Sequence, residues 1–183
     1  MQNQDLKEYF NGKGYFLQKE SDINTQDIDL SLVSLRIALK AYFSTYKCFK
    51  GRLYNVKTFE KETTSYHKEY VQCIFHFHHF AELVLISFLR INKEEIFKNN
   101  NKTDEKHTIE FSLALKNLIK FIKNKAEPVN YQQLKFVLDN EEMLRRLNYL
   151  RNEVYHQGLH ILYYEKLDEF IGKDVLPFIV SVT

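Results

Sequence analysis

The stretch Tyr70-Val71-Gln72-Cys73-Ile74-Phe75-His76-Phe77-His78-His79-Phe80-Ala81-Glu82-Leu83-Val84-Leu85-Ile86-Ser87-Phe88-Leu89 decides the fold. Tyr70, Ile74, Phe77, Ala81, Val84 and Phe88 recur with the rhythm of one helix face. Val71, Phe75, Phe80, Leu85 and Leu89 widen that face. A helix from about Thr63 to Ile91 is expected. It should be buried on much of its circumference, at the centre of a bundle or in an oligomer interface.

Working outward, other amphipathic stripes surround this helix. Leu32, Leu35, Leu39, Tyr42 or Phe43, Tyr46 and Phe49 predict a helix from about Leu30 to Phe49, with Asp29 or Ser31 as its cap and Gly51 as its stop. Phe111, Leu115, Leu118 and Ile122 predict one from Ile109 to Asn124. Lys116, Lys120 and Lys123 lie opposite, as a solvated face or a phosphate-contacting strip. Pro128 ends that region, and Tyr131–Leu138 fits a short helix or a packed loop. Met143, Leu147, Leu150 and Val154 predict a helix from Asn140 to Tyr155, capped by Asp139 or Asn140, with Glu141 and Glu142 suiting its dipole and Gly158 just beyond its end. A last helix is expected from Leu162 to Ile171. The tail Phe178–Val182, after Pro177, is apolar enough to pack on the body or a partner. Residues 92–106, with Lys98-Asn99-Asn100-Asn101-Lys102, read as an exposed loop. Residues 1–28 read as an arm or short helix interrupted by Gly12 and Gly14. The sum is an all-α, antiparallel helical bundle of four main helices plus short ones, in one domain over 1–183.

Composition narrows the function. The chain is 44% apolar and 15% aromatic, enough for one filled core, and its formal net charge is only +2. No strong global field steers it to nucleic acid, so a local basic patch is the electrostatic route. The 5 glycines and 2 prolines include no glycine-rich phosphate loop. Cys48 and Cys73 lack metal-ligand spacing and read as buried thiols in a reducing compartment. With a polar start from Met1 to Glu8 and no apolar run judged long enough for a bilayer, a cytoplasmic protein is expected, away from membranes.

The concentrated chemistry is Arg151-Asn152-Glu153-Val154-Tyr155-His156. Arginine is permanently charged and its fork matches a phosphate. Histidine exchanges protons near neutral pH. The amide of Asn152 can orient a ring or ligand. Five helical positions turn through about 500°, so Arg151 and His156 do not share a face of a regular helix, whereas Asn152 and His156 do. Loosening near Gly158, or a second copy across a two-fold axis, would bring the groups together. The ordinary reading of the pair is a surface charge and a helix-end histidine that satisfies terminal carbonyls. Arg146, upstream, adds positive charge. In the apolar helix, His78 and His79 stand four and three residues before Glu82. Metal binding there lacks the H-E-x-x-H arrangement. A buried Glu82 paired with a basic residue such as Arg151 is the preferred reading. No cofactor or metal is expected.

Leu147 to Gly158, "LNYLRNEVYHQG", and His76 to Arg90, "HFHHFAELVLISFLR", resemble the HEPN superfamily, the higher eukaryotes and prokaryotes nucleotide-binding domain. The likeness lies in an Arg followed after four to six residues by His, with Asn directly after the Arg. It lies also in the earlier helix with a polar residue before Glu-Leu and an apolar run. It covers about residues 30–175. It implies an all-α bundle, commonly a homodimer with the motifs facing across the interface. It implies a metal-independent ribonuclease cutting RNA by attack of the 2′-OH, as a toxin or anti-phage effector, with an antitoxin or other defence-system protein as partner. Arg151 and His156 would be catalytic, with Asn152 in support and Glu82 as polar partner. Non-catalytic members that bind a nucleotide, nucleic acid or protein are the alternative. One branch carries a modifiable tyrosine two residues after the histidine; Gly158 stands there in this chain.

Overall fold

The computed structural model describes residues 23–54, 59–92, 97–99, 106–124, 131–157 and 161–182. Residues 1–22 of the expected arm over 1–28, Pro128 and Gly158 lie outside them, and residues 23–28 of that arm belong to the first long helix. The elements in order are α1 (Ile23–Tyr54), α2 (Phe59–Ile91), β1 (Phe97–Asn99), β2 (Lys106–Thr108), α3 (Phe111–Asn124), α4 (Tyr131–Asp139), α5 (Glu141–Gln157), α6 (Tyr164–Phe170), a π-type turn (Ile171–Val175) and α7 (Leu176–Val182). The protein is a helical bundle.

α2 is its axis. Tyr70, Cys73, Ile74, Phe77, Leu85 and Leu89 are wholly buried. Each large apolar side chain so buried contributes about 1.5–3 kcal/mol. α1 packs along α2 as an antiparallel hairpin arm, and α3 and α5 take further sides. The broad apolar stripe therefore serves the interior of one chain. By composition alone the span Ser65–Ile91 is long and apolar enough to cross a bilayer, with a mean hydropathy of 1.3 over its best window, half of which is buried in this fold. That corrects the expectation that no run reaches such length. The interspersed histidines and glutamate conceal the average when the stretch is read residue by residue.

The helix limits differ from expectation in instructive ways. α1 starts seven residues before Leu30, so Asp29 and Ser31 are interior, and it passes through Gly51 to Tyr54. A glycine inside a helix costs only about 1 kcal/mol relative to alanine and does not compel a stop. Part of the expected loop over 92–106 is a small antiparallel hairpin, Phe97 facing Thr108 and Asn99 facing Lys106. Only three residues on each side pair, too few for an alternating pattern to show. Tyr131–Asp139 is a helix. Asn140 closes it, its backbone N–H and side-chain amide both donating to the Phe136 carbonyl, while its own carbonyl accepts from Leu144 and opens α5.

The chain from Tyr164 to Val182 is continuous helix, so the tail is neither strand nor irregular. At the π turn the Leu176 N–H donates to the Ile171 carbonyl five residues back. Pro177 follows at once. Its ring has no N–H to give and would crowd a regular turn, which the wider π turn relaxes. α6 runs back along α1, with the Tyr42 hydroxyl donating to Asp168 and Tyr164 stacked on Phe49 at 4.6 Å between ring centroids.

Candidate functional site

The antiparallel contact of α5 with α2 brings together the two stretches singled out in the sequence. His78 meets Asn148 at one level, and Phe75 meets Arg151 and Tyr155 at the next.

Arg151 is half-buried. Its Nη1 donates to Asn152 Oδ1 at 2.9 Å. Its guanidinium carbon lies 4.8 Å from the Tyr155 ring centroid and 5.6 Å from that of Phe75. Among the described residues no carboxylate forms an ion pair with it, so the fork is steadied by rings and a neutral amide. The expected direct ion pair with Glu82 is not formed among the described residues. Glu82 is half-buried, and burial pushes its carboxyl above the ordinary value while the charges of His79 and Arg151 pull it down. Their interaction is through space.

His78 is 5% exposed. Its Nε2 donates to Asn148 Oδ1 at 2.9 Å, and Asn148 Nδ2 donates to Ser112 Oγ at 3.1 Å. The ring lies 4.4 Å from that of Phe111 between centroids. Burial drives its pKa down to about 4; the Asn148 hydrogen bond opposes this, and the nearby charges of Arg151 and His79 add to it. His78 is therefore neutral at pH 7 and links α2, α5 and α3. His79 is exposed and turned to α1, its Nδ1 2.7 Å from Ser34 Oγ. Arg146 does not join Arg151: its guanidinium lies 4.6 Å over Phe170, on the C-terminal helix.

α5 runs in regular helix to Gln157, so the chain does not loosen before His156. The His156 side chain lies outside the described residues. Its backbone position is in register with Arg145, Tyr149 and Asn152, at steps of four, three and four residues along one helical row. Arg151 stands beside that row.

The row borders a groove of about 220 Å³ between α3 and α5. Phe111 and Leu115 form its apolar side, Ser112, Asn148 and Asn152 its polar groups, and Arg145 and Tyr149 its rim. Arg145 is tied to Glu141 at 2.7 Å. Asn148, Ser112, Phe75 and Tyr155 are the participants that sequence reasoning passed over. Asn148 was within reach: it lies one helical turn before Asn152, in the same zone of the helix surface. Among the described residues no group of three or more His, Cys, Asp or Glu is placed to hold a metal ion. No protein-family model, curated protein or solved structure matches this chain, so the resemblance to HEPN proteins rests on the residues of α2 and α5 alone.

Proposed function

We propose that the protein is a metal-independent endoribonuclease of the HEPN-like kind, working as a homodimer on RNA in the cytoplasm. The role that fits is a toxin or anti-phage effector held in check by a partner protein. The observation that carries this reading is Arg151: a guanidinium held against two aromatic rings by a neutral amide, one residue from the row that includes His156. In the reaction the ribose 2′-oxygen bonds to phosphorus and gives its proton to a histidine acting as base. Arg151 faces the negative charge that grows on the pentacovalent phosphorane. The bond from phosphorus to the 5′-oxygen then breaks, and that oxygen takes a proton from a histidine acting as acid. The ends left are a 2′,3′-cyclic phosphate and a 5′-hydroxyl. His156 and its two-fold mate are the candidates for the proton transfers. Asn152 keeps the Arg151 fork in place, and His78 holds the helices that carry it.

The test compares wild type with Arg151→Ala and His156→Ala on single-stranded RNA in excess chelator. Loss of about 100-fold or more in each variant is expected, the scale of a lost charge stabiliser or proton-transfer group. Equal cleavage by all three proteins, or none by wild type on diverse RNAs, sinks the reading. The groove beside Asn152 favours one alternative, a domain that binds nucleotides without cutting; retention of RNA with no cleavage would select it.

A further inference from the structure

The helix α3 carries Lys116, Lys120 and Lys123 and no acidic residue from Phe111 to Asn124. All three lysines are exposed, and among the described residues none of them forms an ion pair. Like charges three and four residues apart on a helix repel and weaken it slightly, and no acid on α3 relieves them. An anion laid along the row reverses that sign. The row does not end at Lys116. One turn earlier it reaches Ser112, on the wall of the α3–α5 groove. There Asn148 donates to Ser112 Oγ, which leaves the Ser112 O–H to donate. Arg151 has only donors, so it engages Asn152 by the oxygen and leaves the amide N–H groups uncommitted among the described residues. Across the groove Glu141 takes the Nε and Nη2 of Arg145, and Nη1 keeps its N–H groups. Lysines, a guanidinium and neutral donors thus follow one another from Lys120 to Asn152. Tyr149 stands at the rim, 55% exposed.

We propose that the α3 lysine row and the α3–α5 groove form a track for the sugar–phosphate backbone of a single-stranded nucleic acid. The free oxygens of a phosphodiester only accept hydrogen bonds and carry negative charge, so they suit both kinds of group on this surface. Ser112, Lys116 and Lys120 follow at steps of four residues, about 6 Å of rise, comparable to one nucleotide of a stretched strand. The backbone carries no sequence information, so the track selects charge and not a base. The exposed Tyr149 ring favours nucleic acid over an acidic protein, because a base has a flat face to stack on it. Asn152, the last groove residue of α5, stands one helical turn before His156, so a strand on the track is led toward Arg151. That this strand is a substrate rests on the ribonuclease reading; its binding along α3 does not.

The probes are oligodeoxythymidylate and oligodeoxyadenylate of about twelve nucleotides, which lack the 2′-OH and so cannot be cut by its attack, with polyglutamate as the acidic-protein control. Fluorescence anisotropy follows their binding to the full chain between about 50 and 200 mM salt. Both DNA strands should bind, with a logarithmic salt slope of about −0.7 for each phosphate neutralised. Lys116→Ala and Lys120→Ala, at exposed positions where alanine keeps the helix, should each make that slope shallower by about 0.7 and weaken both strands alike. Tyr149→Ala should weaken both strands by about fivefold or more with the slope unchanged, the loss of one stacked base. Lys173→Ala, in the π turn where Glu169 holds the lysine at 3.1 Å, should change nothing. No binding of either strand by wild type, a slope untouched by the two α3 substitutions, an equal change from Lys173→Ala, or polyglutamate bound as tightly as DNA overturns the assignment. An inactive wild type that binds DNA along α3 refutes the ribonuclease and leaves the track standing. An active enzyme whose DNA binding ignores Lys116 and Lys120 does the reverse.

Discussion

Replacing His78 by glutamine removes a titrating ring from the contact of α2, α3 and α5 and should flatten the acid side of the stability curve. In the folded chain burial holds His78 at a pKa of about 4. In the unfolded chain it titrates near 6.5. As pH falls below about 6.5 the unfolded chain takes up the proton first, so folding becomes less favourable, and the loss is complete below about 4. At roughly 1.36 kcal/mol per unit, the full penalty is about 3 kcal/mol, of which about 2 kcal/mol falls between pH 7 and 5. Glutamine can reach toward Asn148 but takes no proton, and its poorer packing on Phe111 should cost about 1–2 kcal/mol at every pH. Urea unfolding of both proteins at pH 7 and 5 separates the two effects, because the remaining histidines and carboxylates contribute alike to each. The variant should lose about 2 kcal/mol less than wild type between those pH values. An unchanged difference would refute the account of His78 as a neutral ring buried between helices.

Further outcomes are expected from the rest of the bundle. Gly172→Ala, at an exposed helical position where an added Cβ meets nothing within 4 Å, should raise stability by about 0.4–1 kcal/mol in thermal or urea unfolding. Tyr42→Phe removes one hydroxyl from Asp168 and should cost about 1 kcal/mol, whereas Asp168→Ala strands the Tyr42 and Tyr164 hydroxyls together and should cost about 2 kcal/mol. A thiol reagent should modify half-buried Cys48 in the native protein and reach Cys73, which is fully buried with its thiol pKa pushed up, only as the chain unfolds.

The apolar rhythm made most of the helices legible, because an α-helix returns to the same face every 3.6 residues and a core must be filled on that face. It served least where local chemistry has more than one solution. Gly51 read as a stop, yet α1 passes through it, and the tail after Pro177, left open between packed segment and strand, continues the helix by way of a π turn. In the candidate site, Arg151, Asn152 and Glu82 were legible from residue type and spacing. Ser112 was not, since serine is ordinary on a surface and acquires meaning only from what stands opposite, and Asn148 had only its spacing from Asn152 to mark it.

The amino-acid sequence by itself determined that α2 would be covered on much of its circumference and that Arg151 and His156 would occupy different faces of a regular helix, because both follow from spacing along a single element. Only the tertiary structure decided what surrounds Arg151. α5 lies antiparallel to α2, so Phe75 comes beneath the guanidinium and Glu82 stays beyond a direct ion pair. His78, marked in the sequence only by its spacing from Glu82, is likewise fixed as a neutral link to Asn148, for burial raises the cost of its charged form, and burial is a property of neighbours that no local stretch of sequence contains.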